Sequence, residues 1–319
     1  MGSPSSDQPS GILNVNKPLG QTSHDVVERV RELTGVRRVG HAGTLDPLAN
    51  GVLVVCVGRT ATRVAEYVMD EPKIYRTQVR LGVVTNTYDR EGEVVARSRV
   101  DLDRADVEQA LAAFRGVIEQ IPPMYSAVKH HGKPLYRLAR RGIEVEREPR
   151  RVTIHRLDLV GWTIDEERAR CTLEVECSPG TYVRVLVHDL GQKLGCGAYV
   201  TALTRLASGS FRLEEAVTLG RFAQAVEQGR WSDLLRPVDE ALAHRFPALQ
   251  LDSNLARQLC SGQALPGEIG EAQESALTRV YDRADRFLGL AVYDAEEEVW
   301  RPKKIFVSPY PDPGGNNSH

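Results

Sequence analysis

The run GVLVVCVG (51–58) has no polar side chain between its glycines. A short continuous apolar run bounded by turn residues reads as a fully buried strand, so it belongs inside a sheet that other parts of the chain cover. The segment before it, VGHAGTLDPLAN (39–50), is opposite in character. Gly40, Gly43 and Gly51 permit tight or left-handed backbone, and Pro47 stiffens the loop. Such a loop, anchored on a buried strand, can hold a short side chain in a fixed pose, and the acidic candidate is Asp46. Aspartates of ordinary pKa, about 3.9, are ionised at neutral pH and can act as nucleophile or base at a carbon centre. The bland alternative is a turn aspartate before proline. The glycine spacing does not fit the phosphate loop G-x-x-x-x-G-K-[ST], which disfavours a nucleotide triphosphatase.

The flanking sequence predicts the other elements. Ile12 to Val15 reads as a short strand running into Lys17-Pro18 and a turn at Gly20. Thr22 or Ser23 caps a helix with Val26, Val27, Val30 and Leu33 at helical spacing, ending at Gly35. A helix follows at 61–70 and a strand from Tyr75 to Leu81. Val107, Ala110, Leu111 and Phe114 mark an amphipathic helix between Asp103 and Gly116. Val152 to Trp162 and Cys171 to Cys177 alternate as half-exposed strands, and Thr181 is placed to cap a helix running to Leu194. Beyond a proline-bearing region near 237–247, YDRADRFLGLAVYD suggests two short strands around a turn. Helices do not follow every strand. The expected fold is therefore α+β, a mixed and largely antiparallel sheet flanked by helices, with a small β-rich C-terminal domain. At 319 residues the length suggests two domains. Their expected bounds are 11–245 and 246–308, between polar tails at 1–10 and 309–319.

The formal charge of −2, from 41 basic and 43 acidic side chains, argues at first against a nucleic-acid partner. Its distribution reverses that reading. Lys129 to Arg156 carries nine basic and three acidic residues, whereas Leu251 to Trp300 carries four basic and ten acidic. Of the basic residues 34 are Arg, whose planar fork grips phosphate, although a GC-rich genome inflates Arg too. Cys56, Cys171, Cys177, Cys196 and Cys260 form no C-x-x-C pair, so neither a disulfide framework nor a zinc ribbon is expected. His130 and His131 are adjacent rather than at ligand spacing, and there is no H-E-x-x-H, so a metal enzyme is not expected. No apolar run reaches the roughly 18 residues of a membrane span and no signal pattern opens the sequence, so the expectation is a cytoplasmic protein.

The segment from Gly40 to Leu53 resembles the active-site motif of the TruB family of tRNA pseudouridine synthases, G-H-x-G-x-L-D-P-x-A-x-G-x-L. Five further segments match family patterns in order: NKPLGQTSHDVV (16–27), KIYRTQVRLGVVTNTYDREG (73–92), QIPPMYSAVKHHGKPLYRLARRG (120–142), SPGTYVRVLVHDLGQKLG (178–195) and ALTRLASGSF (202–211). The C-terminal region resembles, more weakly, the PUA β-barrel often appended to this family.

The resemblance implies isomerisation of uridine to pseudouridine at position 55 in the TΨC loop of tRNA, without cofactor or metal. It implies Asp46 as the essential aspartate. Tyr75 is implied as the ring on which a flipped base stacks, and Tyr182 as a second pocket tyrosine. Arg184 is implied as the partner of the catalytic carboxylate, His41 as the residue filling the gap left by the base, and Leu203 as pocket wall. Read without the family, Tyr75 is a core strand aromatic, Arg184 a surface cation near a helix start, His41 a loop histidine and Leu203 part of a core helix.

The basic stretch corresponds to the family's RNA-contacting face. Lys129, Lys133, Arg137, Arg140 and Arg141 are its backbone-binding candidates, while Arg147, beside Glu146 and Glu148, reads as a solvated charge. The acidic C-terminal region departs from an RNA-binding surface except around Lys303 and Lys304. The expected partner is the T-arm of tRNA, bound by a monomer with no obligatory protein partner. Two other readings are the catalytic subunit of a guide-RNA-directed synthase, and an RNA-folding module with incidental catalysis. Relatives of the guided type carry further N-terminal extension and Lys-rich tails, which this sequence does not show.

Overall fold

The computed structural model describes residues 9–126, 128–165, 168–269 and 277–307. The expected tail at 309–319 lies outside the described residues, as does most of that at 1–10.

Strand β1 (Gly11–Lys17) leads into helix α1 (Ser23–Thr34). Thr22 starts that helix with a capping box, its hydroxyl accepting from the Asp25 amide while the Asp25 carboxylate accepts from the Thr22 amide. Gly35 closes it in the left-handed conformation. Then come β2 (Val39–His41), β3 (Ala49–Val57), α2 (Gly58–Met69) and β4 (Lys73–Leu81). A ribbon of β5 (Val83–Thr85) and β6 (Val94–Arg97) precedes α3 (Arg104–Leu111). This third helix is shorter than its periodicity suggests. A 3-10 turn at Ala112–Phe114 replaces its last turn, because Arg115 is already extended into β7 (Gly116–Gln120).

The basic stretch forms a small hairpin of β8 (Lys129–His130) and β9 (Lys133–Pro134), followed by α4 (Leu135–Ala139). The long strands β10 (Arg150–Asp165) and β11 (Arg168–Cys177), helix α5 (Val183–Lys193), β12 (Ala198–Ser208), β13 (Phe211–Arg212) and β14 (Leu235–Arg236) complete this part. Thr181 does not cap α5. Its hydroxyl donates to the Ser178 carbonyl at 2.9 Å, and the helix starts after Tyr182 with no side-chain cap.

The large sheet runs β14-β1-β3-β12-β4-β11-β10-β7, with β2 on β3 and β13 on β12. Among the described residues only its β3–β12 strand pair is parallel. The apolar run is indeed interior, since Val52 to Val57 are 0 % exposed between β1 and β12. One face of the sheet is covered by α1, α3 and α5, whose Val30, Leu111 and Leu190 join Leu157, Leu173 and Val175 in one apolar cluster. Burying each such side chain contributes roughly 1.5–3 kcal/mol. Leu203 lies on β12, not on a helix. Bulges after Val200 and Arg205 break the period-two pattern there, which is why alternation fails to announce this strand.

A second sheet, β15 (Ala248–Leu251), β16 (Leu265–Pro266), β17 (Leu277–Asp282), β18 (Phe287–Asp294) and β19 (Val299–Ile305), has the order β15-β17-β18-β19-β16. It docks on α2. Leu290 shares an apolar cluster with Ala61, Val64 and Val68, and Arg63 donates to the Ile305 carbonyl at 2.6 Å. Lys304 is committed to the same seam through Glu66 and the Arg63 carbonyl, so it is not a free RNA contact; Lys303 stays exposed. Among the described residues no helix is long and apolar enough to cross a membrane.

Candidate active site

The loop between β2 and β3 is fastened from several sides. Ser23, at the start of α1, bonds Leu45 twice: its hydroxyl accepts from the Leu45 amide at 2.8 Å and donates to the Leu45 carbonyl at 3.0 Å. The Gly20 amide donates to the Pro47 carbonyl at 2.8 Å. Arg205, on β12 and 1 % exposed, donates to the carbonyls of Val52 (2.6 Å), Thr44 (3.3 Å) and Gly43 (3.2 Å). Gly51 is required where the two strands meet, because at φ 104° a Cβ would lie 2.3 Å from the Arg205 carbonyl oxygen. The loop is thus held as a rigid platform for Asp46.

From that platform an Asp46 carboxylate oxygen sits 2.9 Å from Nη2 of Arg184, in the first turn of α5. Arg184 is not a surface cation. It is 4 % exposed and also bonds Asp89 (3.2 Å), the Thr87 carbonyl (3.2 Å) and the Tyr125 carbonyl (3.0 Å). One buried guanidinium is therefore clamped between two carboxylates and two carbonyls, which fixes its plane. Asp89 is buried with it, while the Asp46 side chain remains 34 % exposed.

The open side of Asp46 faces a cavity of about 380 Å³, within the roughly 300–1,000 Å³ of small-ligand sites. Tyr75, Tyr182, Arg184 and Leu203 line it together with Asp46, as do Lys73, Arg205 and Ser126. Tyr75 is both core strand aromatic and cavity wall. It pairs across to Arg205 on β12, two positions from Leu203 in its pair with Thr77. Burial pushes the Tyr75 and Tyr182 phenols upward, so both stay neutral at pH 7. His41 does not line the cavity. It lies on β2 opposite Val55, its Nδ1 buried without a partner among the described residues and its imidazole pushed down first by burial and then by the Arg205 cation.

Four charged groups escape the residue-level reading of the sequence. Lys17 and Lys73 are buried cations whose ammonium pKa values burial pushes down to about 8. Lys17 donates to the Pro18 and Gln21 carbonyls, and Lys73 to those of Met69 and Glu71. Arg205 and Asp89 are the others. The signals were present but mute: a lysine before proline, an arginine in ALTRLASGSF and an aspartate in TNTYD. Lys129, Lys133, Arg137, Arg140 and Arg141 are all exposed, and none is ion-paired among the described residues. Arg140 lies over the Tyr136 ring, and Arg147 pairs with Glu144 at 3.1 Å.

The architecture has counterparts among solved structures. A chain of an H/ACA RNP bound to a substrate RNA containing 2'-deoxyuridine matches with TM-score 0.70 at 22% identity, over 94% of this chain and 87% of that one. A chain of an archaeal box H/ACA sRNP complex matches with TM-score 0.68 at 21% identity, over 95% and 88%. The fold is that of the pseudouridine synthases.

Three family models cover the chain. The N-terminal domain of the TruB family pseudouridylate synthases matches 31–183, the C-terminal domain of tRNA pseudouridylate synthase B matches 184–243, and a C-terminal model of pseudouridine synthase II TruB matches 247–305. The tRNA pseudouridine synthase B of Pseudomonas aeruginosa is 47% identical over 302 residues, covering 94% of this chain and 96% of that protein. That of Dehalococcoides mccartyi is 42% identical over 318 residues, covering 96% and 99%. The chain belongs to the TruB family of pseudouridine synthases.

Proposed function

We propose that this enzyme converts uridine to pseudouridine at position 55 in the TΨC loop of tRNA. The observation that carries the reading is the Asp46–Arg184 pair at the mouth of a cavity walled by Tyr75 and Leu203. The names of the relatives support tRNA as the substrate. The target base leaves its stack at a cost of a few kcal/mol and enters this cavity, stacking on Tyr75 beside Leu203, with Tyr182 in the same lining. His41 then fills the gap left in the RNA loop. Asp46 is the catalytic carboxylate, and Arg184 holds it in a single orientation by a charge-assisted bond. The C1′–N1 bond breaks and a C1′–C5 bond forms. The C5 proton passes to solvent and N1 ends protonated, so atoms balance without a redox partner or cofactor.

Lys129, Lys133, Arg137, Arg140 and Arg141 hold phosphates of the T-arm beside the cavity. Residues 11–245 form the catalytic domain, and the 246–308 domain is appended to it. The enzyme works in the cytoplasm as a monomer, without guide RNA. Tritium release from tRNA labelled at uridine C5 tests the reading. Release by the wild type and none by Asp46→Asn is the expected result. No wild-type release on any tRNA overturns it, and release only with an added guide RNA transfers the activity to a guided enzyme.

A further inference from the structure

We infer that the face of the large sheet turned away from the catalytic cavity carries a second RNA-binding groove, which grips the phosphodiester backbone of a strand other than the one entering the cavity. Along β4, Tyr75, Thr77 and Val79 point into the core, so Arg76, Gln78 and Arg80 point to the opposite face. The register places Arg80 directly across from Arg170 on β11 and from Tyr199 on β12. Like charges directly opposite on neighbouring strands repel and destabilise the pair.

The same face shows how the chain neutralises such charges elsewhere. Arg76 bonds Glu174 at 2.5 Å, and Arg156 reaches Asp158 (2.8 Å), Glu174 (3.7 Å) and Glu176 (3.8 Å). Arg80 and Arg170 receive no such partner. Among the described residues neither guanidinium has a carboxylate or hydrogen-bond acceptor, and Arg80 Nε is buried with none. Both line a groove of about 420 Å³ whose remaining polar groups include Gln78, Thr172 and Thr201. Arg90 donates to the carbonyl of Thr201, one of the lining residues, at 3.4 Å.

An anion between Arg80 and Arg170 converts their repulsion into two charge-assisted contacts. Phosphate suits the guanidinium fork and the threonine hydroxyls, and Tyr199 offers a ring for a base to stack on. Arg170 and Gln78 remain exposed, so the groove is open and a strand can run through it. That favours a phosphodiester chain over a small enclosed anion.

The proposal uses only the RNA-binding part of the reading above, not the position modified, and its test is read separately from tritium release. The test measures tRNA affinity against salt for the full chain, for Arg80→Gln/Arg170→Gln and for Arg76→Gln. Each phosphate contact contributes roughly 0.7–0.9 to the log–log salt slope. The double variant is expected to bind tRNA with a slope shallower by about 1.5 and an affinity about tenfold lower at low salt. Its tritium release at saturating tRNA stays unchanged. Arg76→Gln, which removes an already paired charge, keeps the wild-type slope.

Relief of repulsion should leave the double variant's Tm equal or higher. If Tm falls instead, Arg80→Lys/Arg170→Lys must restore the slope, or the proposal fails. An unchanged slope in the double variant overturns the groove. Inorganic pyrophosphate raising the Tm of the wild type but not of the double variant, with tRNA binding equal in both, reassigns it to a free anion and overturns the RNA assignment.

Discussion

Two aspartate–arginine pairs in this molecule use the same chemistry to opposite ends. In the C-terminal sheet Asp282 is buried and its oxygens are saturated. They accept from the Ala284 amide (3.0 Å), the Arg286 amide (2.9 Å) and two nitrogens of the Arg286 guanidinium (3.1 and 3.0 Å). That carboxylate closes the turn between β17 and β18. In the part built on the large sheet the roles are exchanged. There the guanidinium of Arg184 is the saturated, buried member, and Asp46 offers its open side to a cavity. A pair with every acceptor filled builds structure, and a pair with one open carboxylate can do chemistry.

The largest expected effect separates the two pairs. Asp46→Asn should lower tritium release by at least about 10³-fold, with Tm nearly unchanged because Arg184 keeps Asp89. Asp282→Asn should leave the rate intact and lower stability by about 1–3 kcal/mol, seen as a lower urea midpoint. If both variants lost activity equally, the distinction would collapse. Next in size, Arg184→Met should cost about 3–5 kcal/mol of stability by stranding Asp89 in the interior. It should also cost activity, since Asp46 loses its orienting bond, so stability and rate fall together only at this residue.

The smallest effect concerns the buried cations, for which the Asp282 turn has no counterpart. Lys73 has a folded pKa of about 8, below its ordinary 10.5, because burial disfavours the charged form. Unfolding therefore takes up a proton between those values, and this lysine makes stability rise with pH across that window. Replacing it in Lys73→Met should flatten the dependence of unfolding free energy on pH between 8 and 10 by up to about 1.4 kcal/mol per unit. Parallel profiles for the two proteins would show that burial does not lower the pKa of Lys73.

Features legible in the sequence share one property: their physics is local. The interior strand β3 follows from eight residues without a polar side chain, and the start of α1 from the cap candidates Thr22 and Ser23 ahead of valines at helical spacing. The glycine-rich loop carrying Asp46 is legible for the same reason. Where local rules break, legibility stops. The bulges of β12 hide Leu203 and Arg205, and the cap expected at Thr181 is displaced by a turn bond to Ser178.

The sequence by itself determined the interior strand β3, the first helix, the glycine-rich loop carrying Asp46 and the segregation of charge along the chain. Only the tertiary structure decided which charges face one another. Arg184 becomes the partner of Asp46 and Asp89 because α5 starts beside two loops distant from it in sequence. Arg80 and Arg170 are left facing each other because β4 and β11 pair in one particular register. The energy of a charge depends on what lies within a few ångströms and on how much water remains, and both are set by packing rather than by order along the chain.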